Sequence, residues 1–159
     1  MQQRQLIAVE RLDALTPEAA VLLDALDRNL ATFYSDEQQH GLDAEALFQP
    51  NVRFFIARLA GAAVGCGGVA LLGGFAEVKR MYTDEAARGC GAGKALLARI
   101  ETVARDAGLT LLRLETGIHQ HEAIAFYERM GFEQCGAFGD YAAMTPNQIE
   151  SSVFYEKQL

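Results

Sequence analysis

The run Arg88-Gly89-Cys90-Gly91-Ala92-Gly93-Lys94 carries the clearest chemical signal in the chain. Three glycines at alternate positions let the backbone come close to a ligand, and the amphipathic stretch that follows offers a helix N-terminus with unpaired N–H groups. Such a loop suits a phosphate. A Walker A loop needs glycine at position 88 and Ser or Thr at 95, but Arg88 and Ala95 stand there. A dinucleotide fingerprint needs a third glycine where Lys94 stands, and it would follow the first strand of a parallel sheet rather than a late strand of a meander. Residues 79–105 hold six basic and three acidic residues, whereas residues 1–50 hold three basic and nine acidic. A locally cationic loop in an acidic chain fits an anionic ligand. The plainer reading is a glycine-rich turn that binds nothing.

The elements that would position this loop follow from periodicity. Residues 5–10 read as a short strand. Thr16-Pro17 opens a helix as N-cap and first residue, with Leu22, Leu23, Leu26, Leu30 and Phe33 on one face. Residues 35–51 are polar and broken, with a short helix around 44–48. Residues 52–59, 62–72 and 75–83 read as strands joined by Ala60-Gly61 and Gly73-Gly74. The apolar period then changes to three and four over 93–107 (Leu96, Leu97, Ile100, Val103, Ala104), a helix closed by Gly108. Residues 109–115 form a strand, 121–130 a helix closed by Gly131, and 132–137 and 152–157 the last strands. No repeat or linker divides the chain, so residues 1–159 read as one domain.

Composition excludes several classes. Lys+Arg 14 against Asp+Glu 21 gives −7, which disfavours nucleic acid and anionic membranes. Cys66, Cys90 and Cys135 are odd in number and lack a C-x-x-C spacing, which argues against a disulfide framework and a zinc knuckle. The first ten residues lack the apolar core of a secretory leader, and a cytoplasmic compartment is expected. Residues 59–76 carry no charge, yet six of these 18 are glycine, so they read as buried strands and turns rather than a membrane span.

The loop resembles the signature of the GNAT superfamily, the Gcn5-related N-acetyltransferases, Q/R-x-x-G-x-G/A, through Arg88, Gly91 and Gly93. The run Ala123-Ile124-Ala125-Phe126-Tyr127-Glu128-Arg129-Met130-Gly131-Phe132 resembles the family's second signature, A-x-x-x-Y-x-x-x-G-F. The order of elements is similar too, and the resemblance covers nearly the whole chain. Residues 54–58, 64–67, 77–82, 114–117 and 152–154 also resemble a narrower subgroup of small bacterial members with no settled acceptor. Two positions depart from the pattern: Glu85 stands where Pro is frequent, and Gln120 where Asn is frequent.

The resemblance implies an α/β (α+β) GNAT fold, a mixed, mostly antiparallel sheet of six or seven strands flanked by about four helices. It implies an acetyl-CoA-dependent N-acetyltransferase with no metal. Arg88, Gly89, Cys90, Gly91, Ala92, Gly93 and Lys94 would hold the pyrophosphate. The segment Met81-Tyr82-Thr83 would splay from its neighbour and pair with the pantetheine amides, with a backbone N–H near Met81 or Tyr82 serving the oxyanion. Gln120 and Ala123 would border the same arm. Tyr127 would protonate the departing thiolate, the plainer reading being a core tyrosine.

An alkyl amine of pKa ~10 is neutral to about one part in a thousand at pH 7, so an acceptor amine needs a base. Glu77 matches the carboxylate of the histone-acetylating branch and would act through water; the alternative is a strand glutamate facing solvent or pairing with Lys79 or Arg80. His119 and His121 lack a visible third ligand for a metal, and either could line an acceptor site, as could Tyr141 and Tyr155. The expected acceptor is a small-molecule primary amine, attacking directly in a ternary complex. Lys79 and Arg80 would suit an acidic group on it, and the acidity of the N-terminal helices a cationic one. The alternatives are a protein or peptide acceptor and a non-catalytic CoA-binding module. A homodimer is common in the family.

Overall fold

Thr16 and Pro17 start the first helix as their types require. In the computed structural model, which describes residues 6–159, the Thr16 hydroxyl accepts from the Ala19 N–H at 3.2 Å. Helix α1 (Pro17–Phe33) buries Ala19, Leu22, Leu23 and Leu26. Phe33, expected on that face, is half-exposed and stacks on His119. Strand β1 (Ile7–Leu12) is shifted two residues from its expected place; Gln5 of that expected strand, and the first five residues of the stretch read for a leader, lie outside the described residues.

Strands β2 (Val52–Leu59) and β3 (Ala62–Leu71) meet at Ala60-Gly61, whose positive φ angles of 50° and 85° suit a two-residue hairpin. Strand β4 (Ala76–Thr83) follows the Gly73-Gly74 turn. The uncharged stretch is therefore mostly a central strand, and no helix of the described residues is long and apolar enough to cross a membrane.

Helices α2 (Ala92–Asp106) and α3 (His121–Arg129) end in the same way. Gly108 (φ 77°) lets Leu109 N–H reach the Ala104 carbonyl, and Gly131 (φ 94°) lets Phe132 N–H reach the Tyr127 carbonyl at 3.0 Å. The rings of Tyr127 and Phe132 pack edge to face at 5.5 Å, the apolar contact that accompanies this cap. The spacing Tyr-x-x-x-Gly-Phe is thus a helix end that fixes the tyrosine. It also explains two boundary corrections. Leu109 and Phe132 serve the caps, so β5 (Leu111–Gly117) and β6 (Glu133–Cys135) start later than expected.

Strand β7 (Ser152–Gln158) inserts between β5 and β6, giving the order β1-β2-β3-β4-β5-β7-β6. All neighbours are antiparallel except β4 and β5. The short helix expected around 44–48 is a 3₁₀ turn, Ala46–Phe48. The connection from β6 to β7 folds into a further 3₁₀ turn, Gly139–Ala143, and helix α4 (Pro146–Ile149), neither anticipated. One sheet face packs Leu96, Leu97 and Ile100 of α2 and Tyr127 of α3 on Phe55, Val69 and Leu112. The other packs Leu22 and Leu23 of α1 on Phe54 and Ile56. The alternation of strand side chains sends neighbours Phe54 and Phe55 to opposite cores.

Candidate active site

Strands β4 and β5 pair only at Ala76–Leu112 and Glu77–Arg113, then separate. The cause lies on the β3 side. Gly68 faces Lys79 and Cys66 faces Tyr82, so Gly67 alone opposes both Arg80 and Met81. This bulge bends β4 away from β5. Arg80 takes the left-handed conformation (φ 54°), costly for a side-chain-bearing residue, and is held by Asp27 of α1 at 2.7 Å. A side chain at Gly67 would bring its Cβ to 2.6 Å from the Met81 sulfur.

The gap is an open cleft. Val78 to Met81 form one wall, Leu114 to Gly117 another, and Gln120, Ala123 and Tyr127 of α3 a third. Of the residues expected to act, Glu77, Met81, Gln120, Ala123 and Tyr127 therefore meet in one cleft. Tyr82 and Thr83 do not line it; they pair with Cys66 and Gly65 of β3. Beyond Glu77, however, the β4 edge has no β5 partner, which is what an added amide-bearing chain needs.

The glycine loop stands beside α3. The Arg88 guanidinium donates to Glu122 in the first turn of α3 at 2.8 Å, and a Cβ on Gly93 would lie 3.3 Å from the Phe126 ring. Gly91 caps α2 at φ 95° with no side-chain hydrogen bond, so the first N–H groups of α2 have no side-chain acceptor. Lys94 is exposed and Cys90 half-buried. This cradle fits a pyrophosphate: unpartnered N–H groups, a helix N-terminus and an exposed lysine.

Tyr127 is buried, and burial alone pushes its pKa up, so the hydroxyl keeps its proton. The Gln120 amide is engaged at both ends. Its Oε1 accepts from the Tyr34 hydroxyl at 3.3 Å and its Nε2 donates to Asn29 Oδ1 at 3.1 Å. Tyr34 in turn accepts from His119 N–H at 3.0 Å, tying the end of α1 to the β5–α3 turn.

Glu77 does not face solvent. It is 4% exposed, and its Oε2 accepts from Lys79 Nζ at 2.9 Å and from the Tyr141 hydroxyl at 2.7 Å. Burial and the neighbouring Glu77 carboxylate push the Tyr141 pKa well above the usual tyrosine range, which keeps Tyr141 a donor. A second carboxylate, Glu115 of β5, lines the same cleft and accepts from Ser152 Oγ at 2.7 Å; burial raises its pKa. His40 Nε2 lies 2.7 Å from the Gln148 carbonyl, which makes this nitrogen the donor.

Sequence reasoning left out Glu115, His40 and Tyr34. Glu115 had a usable signal, since it shares its strand face with Arg113 and Gly117 at period two beside a splayed strand. Of the histidines considered, His119 stacks on Phe33 and Tyr34, and the histidine on the cleft wall is His40. Tyr141 lines the cleft, whereas Tyr155 donates to Glu128 away from it.

A bulged, splayed sheet with a capped tyrosine helix and a glycine-rich helix start defines an acyl-CoA-type transferase fold. Residues 22–132 match the Acetyltransferase (GNAT) family, and the chain belongs to that family and is an N-acetyltransferase. It is 43% identical over 155 residues to an IAA acetyltransferase of Azospirillum brasilense, covering 96% of this chain and 98% of that one. A solved structure from Klebsiella pneumoniae, a protein assigned to the acyl-CoA N-acyltransferases, is 38% identical with a TM-score of 0.76, covering 97% of this chain and 98% of its own. A GNAT family acetyltransferase from Elizabethkingia anophelis, solved with acetyl-CoA bound, shares the fold at 17% identity and a TM-score of 0.65, over 96% and 98% of the two chains.

Proposed function

We propose that this acetyltransferase moves the acetyl group of acetyl-CoA to the primary amine of a small molecule, by direct attack in a ternary complex. The observation that carries the reading is the meeting of Tyr127 and Glu77 on the cleft where β4 leaves β5. Acetyl-CoA supplies a thioester whose carbonyl carbon accepts the amine and whose thiolate leaves. The first N–H groups of α2, with Lys94 nearby, hold the pyrophosphate. The free edge of β4 from Met81 to Thr83 receives the pantetheine amides, and a backbone N–H at Met81 or Tyr82 donates to the carbonyl oxygen as it gains charge. Ala123 and Gln120 border the arm.

Tyr127 gives its proton to the thiolate; its raised pKa keeps that proton available at neutral pH. Glu77 takes the amine proton through water, its carboxylate held in place by Lys79 and Tyr141. The amine end of a small acceptor suits a cleft bounded by Leu30, Tyr34, Gln38 to Gly41 and Tyr141, and the name of the Azospirillum relative is consistent with a small acceptor. The same reading takes residues 1–159 as one catalytic domain of a bacterial, cytoplasmic enzyme.

The test is release of free thiol from acetyl-CoA against a panel of primary amines. Turnover with one class of small amine supports the reading. Turnover confined to peptides, or tight CoA binding with no turnover of amines or peptides, contradicts it.

A further inference from the structure

Behind the Glu77–Lys79–Tyr141 cluster lies a second, open cavity. It shares His40, Gly41, Glu77, Lys79 and Tyr141 with the cleft, and it is lined by no residue of α2, α3 or the glycine loop. It therefore abuts the proposed reaction centre without touching the residues assigned to the acetyl donor. Resting on that assignment, we propose that this cavity holds the body of the acceptor, an apolar, ring-sized group that bears no carboxylate and whose primary amine reaches into the cleft.

The far wall of the cavity is apolar. Leu72, Phe75, Phe138 and Met144 line it. The Phe75 and Phe138 rings meet edge to face at 5.4 Å, and the Arg113 guanidinium covers both rings, at 4.9 and 5.3 Å. Rings held in this way present a fixed apolar surface, which rewards an apolar body and gives nothing to a polar one.

The cations around the cavity already have partners. Lys79 is paired with Glu77, and Arg80 with Asp27. Arg113, behind the rings, is paired with Glu156 at 3.2 Å. His40 spends its Nε2 proton on the Gln148 carbonyl. A carboxylate in this cavity would thus find Lys79 and Arg113 already engaged; Arg80, whose buried Nε has no partner among the described residues, lines the adjoining cleft and not this cavity. Opposite charge is favoured instead, because Glu115 in the adjoining cleft is held by the neutral Ser152 hydroxyl and Asp140 adds a negative charge at the cavity wall. An ammonium head is drawn inward; a buried carboxylate would go unpaired. This decides between the two acceptor charges that the sequence left open.

The test compares three matched amines by thiol release: 2-phenylethylamine, ethylamine, which lacks the ring, and phenylalanine, which adds a carboxylate. Expected is a kcat/KM for 2-phenylethylamine about tenfold or more above each of the others. Leu72→Asn and, separately, Met144→Gln are expected to raise KM for 2-phenylethylamine about fivefold while KM for acetyl-CoA stays within about twofold, which also reports that the variants fold. Equal or faster turnover of ethylamine or phenylalanine overturns the proposal, as does indifference of the amine KM to both substitutions. If none of the three turns over, calorimetry on the CoA-loaded protein separates the two readings. Binding of 2-phenylethylamine that Leu72→Asn weakens upholds the cavity assignment and sinks only its use in catalysis; no binding overturns the assignment.

Discussion

The Tyr141 hydroxyl donates to Glu77 Oε2 across 2.7 Å, and Lys79 Nζ closes the triangle at 2.9 Å from each. The contact joins the connection between β6 and β7 to the start of β4, 64 residues apart in the chain. It satisfies a buried carboxylate with one cation and one neutral donor, so each corner depends on the other two.

Removing the neutral corner should cost less than removing the charged one. Tyr141→Phe keeps the ring packing on Phe138 and Phe154 and leaves Glu77 with Lys79 alone, an expected loss of about 1–3 kcal/mol. Lys79→Met leaves the carboxylate buried without its cation, an expected loss of about 3–5 kcal/mol. Chemical denaturation of the two variants beside the wild type checks the order. Equal losses would mean that the triangle is not coupled as its geometry indicates.

Glu115 gives stability a pH dependence of definite sign. Burial is the main cause of its raised pKa, with Glu77 adding to it; the Ser152 bond, His40 and Lys79 pull it back. It also faces the hydroxyls of Tyr34 and Tyr141, whose own pKa values it raises. A carboxyl whose pKa is higher folded than unfolded binds more protons in the native state, so its contribution is full below the ordinary value near 4.5 and is lost as pH rises through the raised one. Glu115→Gln, which can still accept from Ser152, should therefore raise Tm relative to wild type at pH 8, and the difference should shrink at pH 4. A difference that grows toward low pH would contradict this assignment.

Two glycines are required for different reasons. At Gly117 a Cβ would fall 1.9 Å from the Tyr34 hydroxyl, so Gly117→Ala must displace the ring that bonds Gln120 and His119. The expected cost is about 1–3 kcal/mol. At Gly91 there is open space, and the cost is the left-handed φ of 95° alone. Gly91→Ala should lose only about 1 kcal/mol of stability but raise KM for acetyl-CoA severalfold, since it reshapes the N-cap of α2. Stability measured by denaturation and KM measured separately distinguish the two effects.

Local signals in the chain were largely sufficient for the elements. Strand β2 begins and ends where its β-branched and aromatic run does, and Gly108 and Gly131 mark both helix ends. The insertion of β7 between β5 and β6 was not legible, because strand order depends on pairing between distant residues. Residues 138–149 had no strong period, and their turns are held by side chains such as Phe138 and Tyr141 that pack on Phe154. For that reason Glu77 was identified as a candidate and Lys79, two residues on along the same strand face, as a possible partner, while the Tyr141 contact emerged only from the fold.

The central claim is that Tyr127 serves chemistry and not packing alone. The most direct measurement is steady-state thiol release by Tyr127→Phe with the best amine from the panel, with KM for acetyl-CoA measured in parallel. The ring contacts with Phe126 and Phe132 survive this change, so the fold should too. The account predicts kcat lower by about 10²–10⁴ with KM for acetyl-CoA nearly unchanged. A kcat within about twofold of wild type would contradict it and return Tyr127 to the core.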